Sequence, residues 1–346
     1  MIRKILILTD THSCQTNGVT RCLDYLTLPF DANTNIEVVS SDNFVSVPFI
    51  GYKEIRLSLA FPQKIFKKIE EIRPDAVHIM TEGPIGFTAA FVCKKYKIPY
   101  TTTFHTKFPE YLYLRNRLIR PSIVHRYLRF IHDVSAKIFI SHKGVQKYLE
   151  NEGYKSFEIV PLGIDHEIFK LPAGQKSTHS KPRLLFVGRI AVEKNIEDFL
   201  KISDDYEKIV VGDGPLREEL EAMYPTAKFL GVKKGEELAR IYQESDVFVF
   251  PSKTDTLGLV NLEALACGTP VVAYDLETMR GVVKNGVSGV LVSEEENLES
   301  GIETALKLNT QDICEDIKKY NWKNYQKTFI QSQIPINYTH VDFGNF

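Results

Sequence analysis

The sequence predicts an α/β protein made of two doubly wound parallel-sheet domains. Three observations lead there. The 346 residues exceed what one ordinary core accommodates. Short β-rich runs alternate with helical patterns in both halves, the signature of successive βαβ units. Between the halves lies Leu171-Pro-Ala-Gly-Gln-Lys-Ser-Thr-His-Ser-Lys-Pro182, polar, proline-bearing and without periodicity.

Taken in order, the first half predicts strands at Lys4–Thr9, Ile36–Ser40, Ala76–Met80, Tyr100–Thr103, Lys137–Ser141 and Glu158–Pro161. The second predicts Arg183–Gly188, Lys208–Gly212, Ala227–Leu230, Val247–Pro251, Val271–Tyr274 and Val290–Val292. The expected boundaries are 1–170 for the first domain, 171–315 for the second and 316–346 for a terminal helical segment. In that segment Trp322, Tyr325 and Phe329 recur at helical spacing.

Composition narrows the class. A hydrophobic fraction of 43% and a charged fraction of 25% describe a soluble globular chain. No apolar run approaches the roughly 18 residues that span a bilayer. The opening Met1–Asp10 reads as a strand rather than a secretion signal. Five scattered cysteines without Cys-x-x-Cys spacing suggest reduced thiols in a cytoplasmic protein and no structural zinc. The net charge of −1 hides a division. Residues 1–160 carry 22 Lys+Arg against 15 Asp+Glu, a net of +7, and the remainder carries 21 against 29, a net of −8. The first half is therefore expected to face something anionic.

The richest stretch runs from Pro251 to Ala273. It holds two carboxylates, Asp255 and Glu263, with Gly258 and Leu259 between them, and a strand on either side. Asp255 falls at the carboxyl end of a strand, where open α/β sheets bind ligands. Leu259–Ala266 reads as a buried helix whose amino end suits an anion. This stretch resembles the signature of family-four retaining glycosyltransferases of the GT-B fold, two Rossmann-like domains facing a central cleft. The resemblance implies that Asp255 binds hydroxyls of the donor sugar and Glu263 the ribose of the nucleotide. Many members have Glu where this chain has Asp255.

Other motifs support it. Val187-Gly-Arg-Ile-Ala-Val-Glu-Lys-Asn195 follows a predicted strand, and two cations near a helix start suit a diphosphate. The resemblance places Gly188, Arg189 and Lys194 at the donor diphosphate, stabilising the leaving group. Val211-Gly-Asp-Gly-Pro-Leu-Arg217 fails as a dinucleotide loop and reads as a tight turn before a helix. In Thr9–Arg21 the Asn17-Gly18 turn stands where many members have Gly-Gly, and Gly18 is expected near the donor phosphate or reacting sugar. His105, just past a strand end, is expected at the reacting face. The family commonly returns its last helix to the first domain; an ordinary helix of the second domain fits the aromatic spacing equally. Met279-Arg-Gly-Val-Val283 departs from the pattern, with Gly281 where many members are acidic.

Tyr111–Phe130 has five arginines and no acid, interleaved with apolar residues. Arg115, Arg117, Arg120 and Arg126 suit an anionic membrane surface or acceptor; the plainer reading is a helix packed on its own domain. No nucleic-acid motif accompanies them. Together with Thr81-Glu-Gly-Pro84, the His105 segment resembles a lipid-glycosylating and GDP-mannose-dependent branch. The expected activity is metal-independent hexosyl transfer with retention, from UDP-glucose, UDP-glucuronate or GDP-mannose to an acceptor hydroxyl. A membrane lipid such as diacylglycerol is the expected acceptor, with the protein cytoplasmic and peripheral on the membrane. Arg189, Lys194, His105 and Asp255 form the expected catalytic set. No cofactor is expected, since the nucleotide sugar is a substrate. A soluble or polysaccharide acceptor, a nucleotide-sugar epimerase of the same fold, and a non-catalytic sugar-nucleotide-binding protein remain as alternatives.

Overall fold

The computed structural model describes residues 2–11, 17–49, 52–172, 179–315 and 317–341. The first domain contains β1 (Lys4–Leu8), β2 (Asn35–Val39), β3 (Ser46–Phe49), β4 (Tyr52–Ser58), β5 (Ala76–Ile79), β6 (Tyr100–Thr103), β7 (Lys137–Ile140) and β8 (Phe157–Ile159). The second contains β9 (Arg183–Val187), β10 (Glu207–Val211), β11 (Lys228–Phe229), β12 (Val247–Phe250), β13 (Val271–Tyr274) and β14 (Gly289–Val292). Every strand expected from the sequence is present, Tyr100–Thr103 and Val271–Tyr274 with the expected ends and the others with ends displaced by at most two residues. The antiparallel pair β3–β4 was not expected. Pro48 interrupts that run and argues against a strand in it.

Two six-stranded parallel sheets result, ordered β2-β1-β5-β6-β7-β8 and β11-β10-β9-β12-β13-β14. The strand order reverses between β1 and β5 in one and between β9 and β12 in the other. Loops leaving those strands therefore splay apart at the carboxyl edge and leave a crevice. The central strands are covered on both faces. Val247–Phe250 and Val271–Tyr274 are buried at every position, which is why they read as continuous apolar runs rather than alternating ones.

The chain crosses between sheets twice, and the crossings touch. Ile164 of the outgoing strand bridges Asn321 of the returning one in parallel. Gly163 makes this approach feasible, since a Cβ there would lie 2.4 Å from the backbone nitrogen of Trp322. The helix Trp322–Gln331 then packs on the first sheet. Trp322, Tyr325, Phe329 and Ile330 join Ile5, Ile7, Cys22 and Phe139 in one apolar cluster. Trp322 stacks on Tyr25 with centroids 4.2 Å apart. Beyond the helix, the Gln333 amide oxygen accepts from Thr101 Oγ1 at 2.8 Å, and the Ile336 amide donates to the Asp75 carbonyl at 2.8 Å.

Because no rearrangement short of separating the crossings admits a side chain, Gly163→Ala should lower unfolding stability by about 1–3 kcal/mol. Urea denaturation at matched temperature reads this, and a loss below about 0.5 kcal/mol would contradict the contact.

Candidate functional site

The candidate site forms where the two crevices face each other. On the second domain, β9 and β12 flank the strand-order reversal, and their loops carry two groups that meet directly. Lys194 Nζ lies 2.7 Å from both carboxylate oxygens of Asp255, a pairing of residues 61 positions apart. Burial pushes the Asp255 carboxyl up. The charge and hydrogen bond of Lys194, with the Ser252 hydrogen bond and the Lys107 charge, together outweigh this, and the net pKa lies below the usual aspartate value. Asp255 is thus held ionised beside a cation. Arg189 is half-buried in the same β9 loop. The β10 loop backs that segment, with the Ile190 amide donating to the Asp213 carbonyl at 2.9 Å.

Gly258 precedes the helix Leu259–Ala266 with φ +65°, a conformation that lets the β12 loop turn sharply into the helix. Leu259 at its first turn faces Gly18 across the cleft. A Cβ on Gly18 would sit 3.7 Å from Leu259 Cδ1. Gly18 itself opens the helix Gly18–Thr27, capped by Asn17, whose side chain accepts from the Val19 and Thr20 amides. Residues 12–16 of this motif lie outside the described residues. One turn into the donor helix, Glu263 is only 2% exposed. Its Oε1 pairs with Arg21 Nη1 of the first domain, and its Oε2 accepts from Tyr242 Oη at 3.2 Å.

The first domain closes on this loop through backbone. Thr106 bridges Asp255 in antiparallel fashion, and the Lys107 amide donates to the Thr254 carbonyl at 3.2 Å. The Thr256 hydroxyl donates to the His105 carbonyl at 2.5 Å. The His105 backbone therefore joins the Asp255 loop. Its Nε2 is buried and has no hydrogen-bond partner among the described residues. Burial pulls its imidazole down to about 4, opposed only in part by Glu82, so the ring is neutral at neutral pH.

The four arginines expected at an anionic surface divide. Arg117, Arg120 and Arg126 are exposed. Between and beside them Leu118 is 87% exposed and Ile123 62%. Arg115 is a correction. It is turned inward and forked onto Glu193, with Nη2–Oε1 at 2.7 Å and Nε–Oε2 at 3.3 Å, and both side chains are almost fully buried. Glu193 adjoins Lys194, so Arg115 anchors the β9 loop from across the cleft.

Arg21, Tyr242, Glu193 and Lys107 escaped the sequence reading. One signal was available for Arg21: it stands three residues after Gly18, on the same helix face. The departure at Gly281 also acquires a physical account. A Cβ there would lie 2.0 Å from His142 Nδ1, so the imidazole of the first domain fills that space. His142 Nε2 in turn donates to the Thr256 carbonyl at 3.1 Å.

Two family models match consecutive parts of the chain, "Glycosyltransferase Family 4" over residues 23–168 and "Glycosyl transferases group 1" over residues 168–324. The sulfoquinovosyl transferase SQD2 of Arabidopsis thaliana is 30% identical over 310 residues, covering 80% of this chain and 60% of that protein. The alpha-monoglucosyldiacylglycerol synthase of Streptococcus pneumoniae is 29% identical, covering 82% and 71%. The chain thus spans about 60% of the length of the plant relative. Among solved structures, HepE of Anabaena in complex with UDP and glucose superposes with a TM-score of 0.68 at 16% identity, covering 96% of this chain and 99% of that one. That likeness speaks to fold. With both models matching in series and both sheets in place, the chain belongs to the family-four glycosyltransferases of the GT-B fold.

Proposed function

We propose that this protein transfers a hexose from a nucleotide sugar to a hydroxyl of a membrane lipid, with retention of anomeric configuration. One observation carries the reading: Lys194 meets Asp255 from a neighbouring loop of the second domain, and the first-domain backbone of His105 and Thr106 closes on the same loop at the facing crevices. In this arrangement Glu263 receives the ribose hydroxyls. Arg189 and Lys194 hold the diphosphate, and Asp255 exchanges part of its contact with Lys194 for donor-sugar hydroxyls. The diphosphate, once it departs, takes the acceptor proton on the same face of the sugar. The two cations stabilise the charge that builds on it. His105, neutral and with a free ring nitrogen, hydrogen-bonds a sugar hydroxyl rather than delivering a full charge.

A lipid acceptor is supported by two facts. The relatives include a sulfoquinovosyl transferase and alpha-monoglucosyldiacylglycerol synthases. The segment with Leu118 and Ile123 exposed among Arg117, Arg120 and Arg126 has the make-up of a surface that rests on anionic headgroups with apolar side chains inserted. No helix among the described residues is long and apolar enough to cross a membrane, so contact would be peripheral. GDP-mannose-dependent alpha-mannosyltransferases are also among the relatives, the first of them from Mycobacterium tuberculosis at 26% identity. The proposed donor is accordingly a UDP or GDP sugar.

Arg189→Ala should lower kcat by roughly 10²–10³-fold while circular dichroism and melting stay near wild type. Activity within about threefold of wild type would remove Arg189 from the mechanism. The triple variant Arg117→Gln, Arg120→Gln, Arg126→Gln should weaken binding to anionic vesicles by about 10²-fold, on the order of 1 kcal/mol per cation. Unchanged flotation with vesicles would contradict the surface. His105 generates a pH prediction. The unfolded chain takes up its proton near pH 6.5 and the folded one near 4. Stability therefore falls as pH drops through that window, by about 3 kcal/mol from this group. His105→Gln should abolish that component, which denaturation at pH 7 and pH 4 measures; an identical pH dependence in the variant would refute it.

A further inference from the structure

Resting on Glu263 as the ribose seat proposed above, we infer that Arg21 is a positioning residue that holds this seat closed and yields it to the nucleotide. Both oxygens of Glu263 are taken, one by Arg21 and one by Tyr242. Arg21 is fixed in turn, its guanidinium lying 5.8 Å from the centroid of the Phe169 ring. The space between them, walled by Gly163, Ile164, Leu259 and Trp322, is too tight to admit even a water molecule. Small-ligand sites run to roughly 300 Å³ or more. A ribose reaches Glu263 only after the guanidinium withdraws.

Arg21 belongs to the first domain, and Glu263 to the second. Their pairing is one of the contacts that hold the cleft shut. Nucleotide binding exchanges a cross-cleft ion pair for hydrogen bonds from ribose hydroxyls. The buried carboxylate is satisfied before and after, and Arg21 competes with the ligand for it.

The free-energy consequence runs opposite to that of an ordinary binding residue. Removing Arg21 leaves Glu263 buried without a cation in the free protein, while the complex retains the ribose hydroxyls as partners. Arg21→Gln should therefore bind nucleotide more tightly than wild type. The dissociation constant should fall roughly five- to tenfold, the scale of one ion pair lost from the competing state. Arg21→Lys keeps a cation and should lie between.

The test is calorimetric titration of UDP and GDP into the full-length protein, with the emission of Trp322 as a second read. Trp322 is the single tryptophan and lines the space in question. Glu263→Gln should weaken binding, and Arg21→Gln added to it should change nothing further, since Arg21 acts only through that carboxylate. Weaker binding by Arg21→Gln alone would overturn the proposal and make Arg21 a ligand contact. An equal gain in the Glu263→Gln background would overturn it as well. The two readings fail separately: if Glu263→Gln binds as wild type does, or wild type binds neither nucleotide, the ribose seat itself is wrong.

Discussion

Three carboxylates of the second domain, Glu193, Asp255 and Glu263, line the cleft in positions largely or wholly removed from water. A carboxylate there is costly unless a cation stands beside it, and that requirement organises the molecule. Lys194 answers Asp255 from within the second domain. Arg115 and Arg21 answer Glu193 and Glu263 from the first. The two Rossmann-like sheets are thus held face to face by charges that neither could bury alone. The backbone pairing of Thr106 with Asp255 and the touching crossings at Gly163 and Trp322 fix the same alignment from the middle and the hinge.

The division of charge along the chain takes on a geometric meaning in this light. The first domain carries the positive excess and the second the negative one. Part of that difference is consumed across the cleft by Arg21 and Arg115, and by Lys147, whose Nζ lies 2.8 Å from Glu277. Another part remains outside, on Arg117, Arg120 and Arg126. The cleft and the outer surface therefore draw on the same basic segment for different purposes. The helix Phe108–Arg115 ends on the inward-turned Arg115, whereas Arg117, Arg120 and Arg126 in the loop and helix that follow it face out.

Much of this was legible in the sequence. The strands were, because apolar runs of four or five residues between helical patterns have few other interpretations in a chain of this length. Asp255 and Glu263 were, because a strand, a glycine turn and an apolar helix fix where both carboxylates must sit. The direct pairing of Lys194 with Asp255 was not, since it depends on strands β9 and β12 becoming neighbours. Arg115 misled because a run of arginines carries no mark of which one turns inward; only the position of Glu193 across the cleft decides it. Glu263 was read as an open ligand contact, and the sequence held no sign that Arg21 already occupies it. Periodicity reports faces of single elements, and partners contributed by another domain lie beyond it.

On the proposed function, the facing crevices transfer a sugar from a nucleotide to a lipid. The direct measurement is release of nucleoside diphosphate from UDP-, GDP- and ADP-sugars, with and without anionic vesicles containing diacylglycerol. One donor should be consumed, its consumption should depend on the vesicles, and a glycolipid should appear in equal amount. Donor bound but never consumed under any of these conditions would contradict it, as would turnover of the donor alone into a different nucleotide sugar.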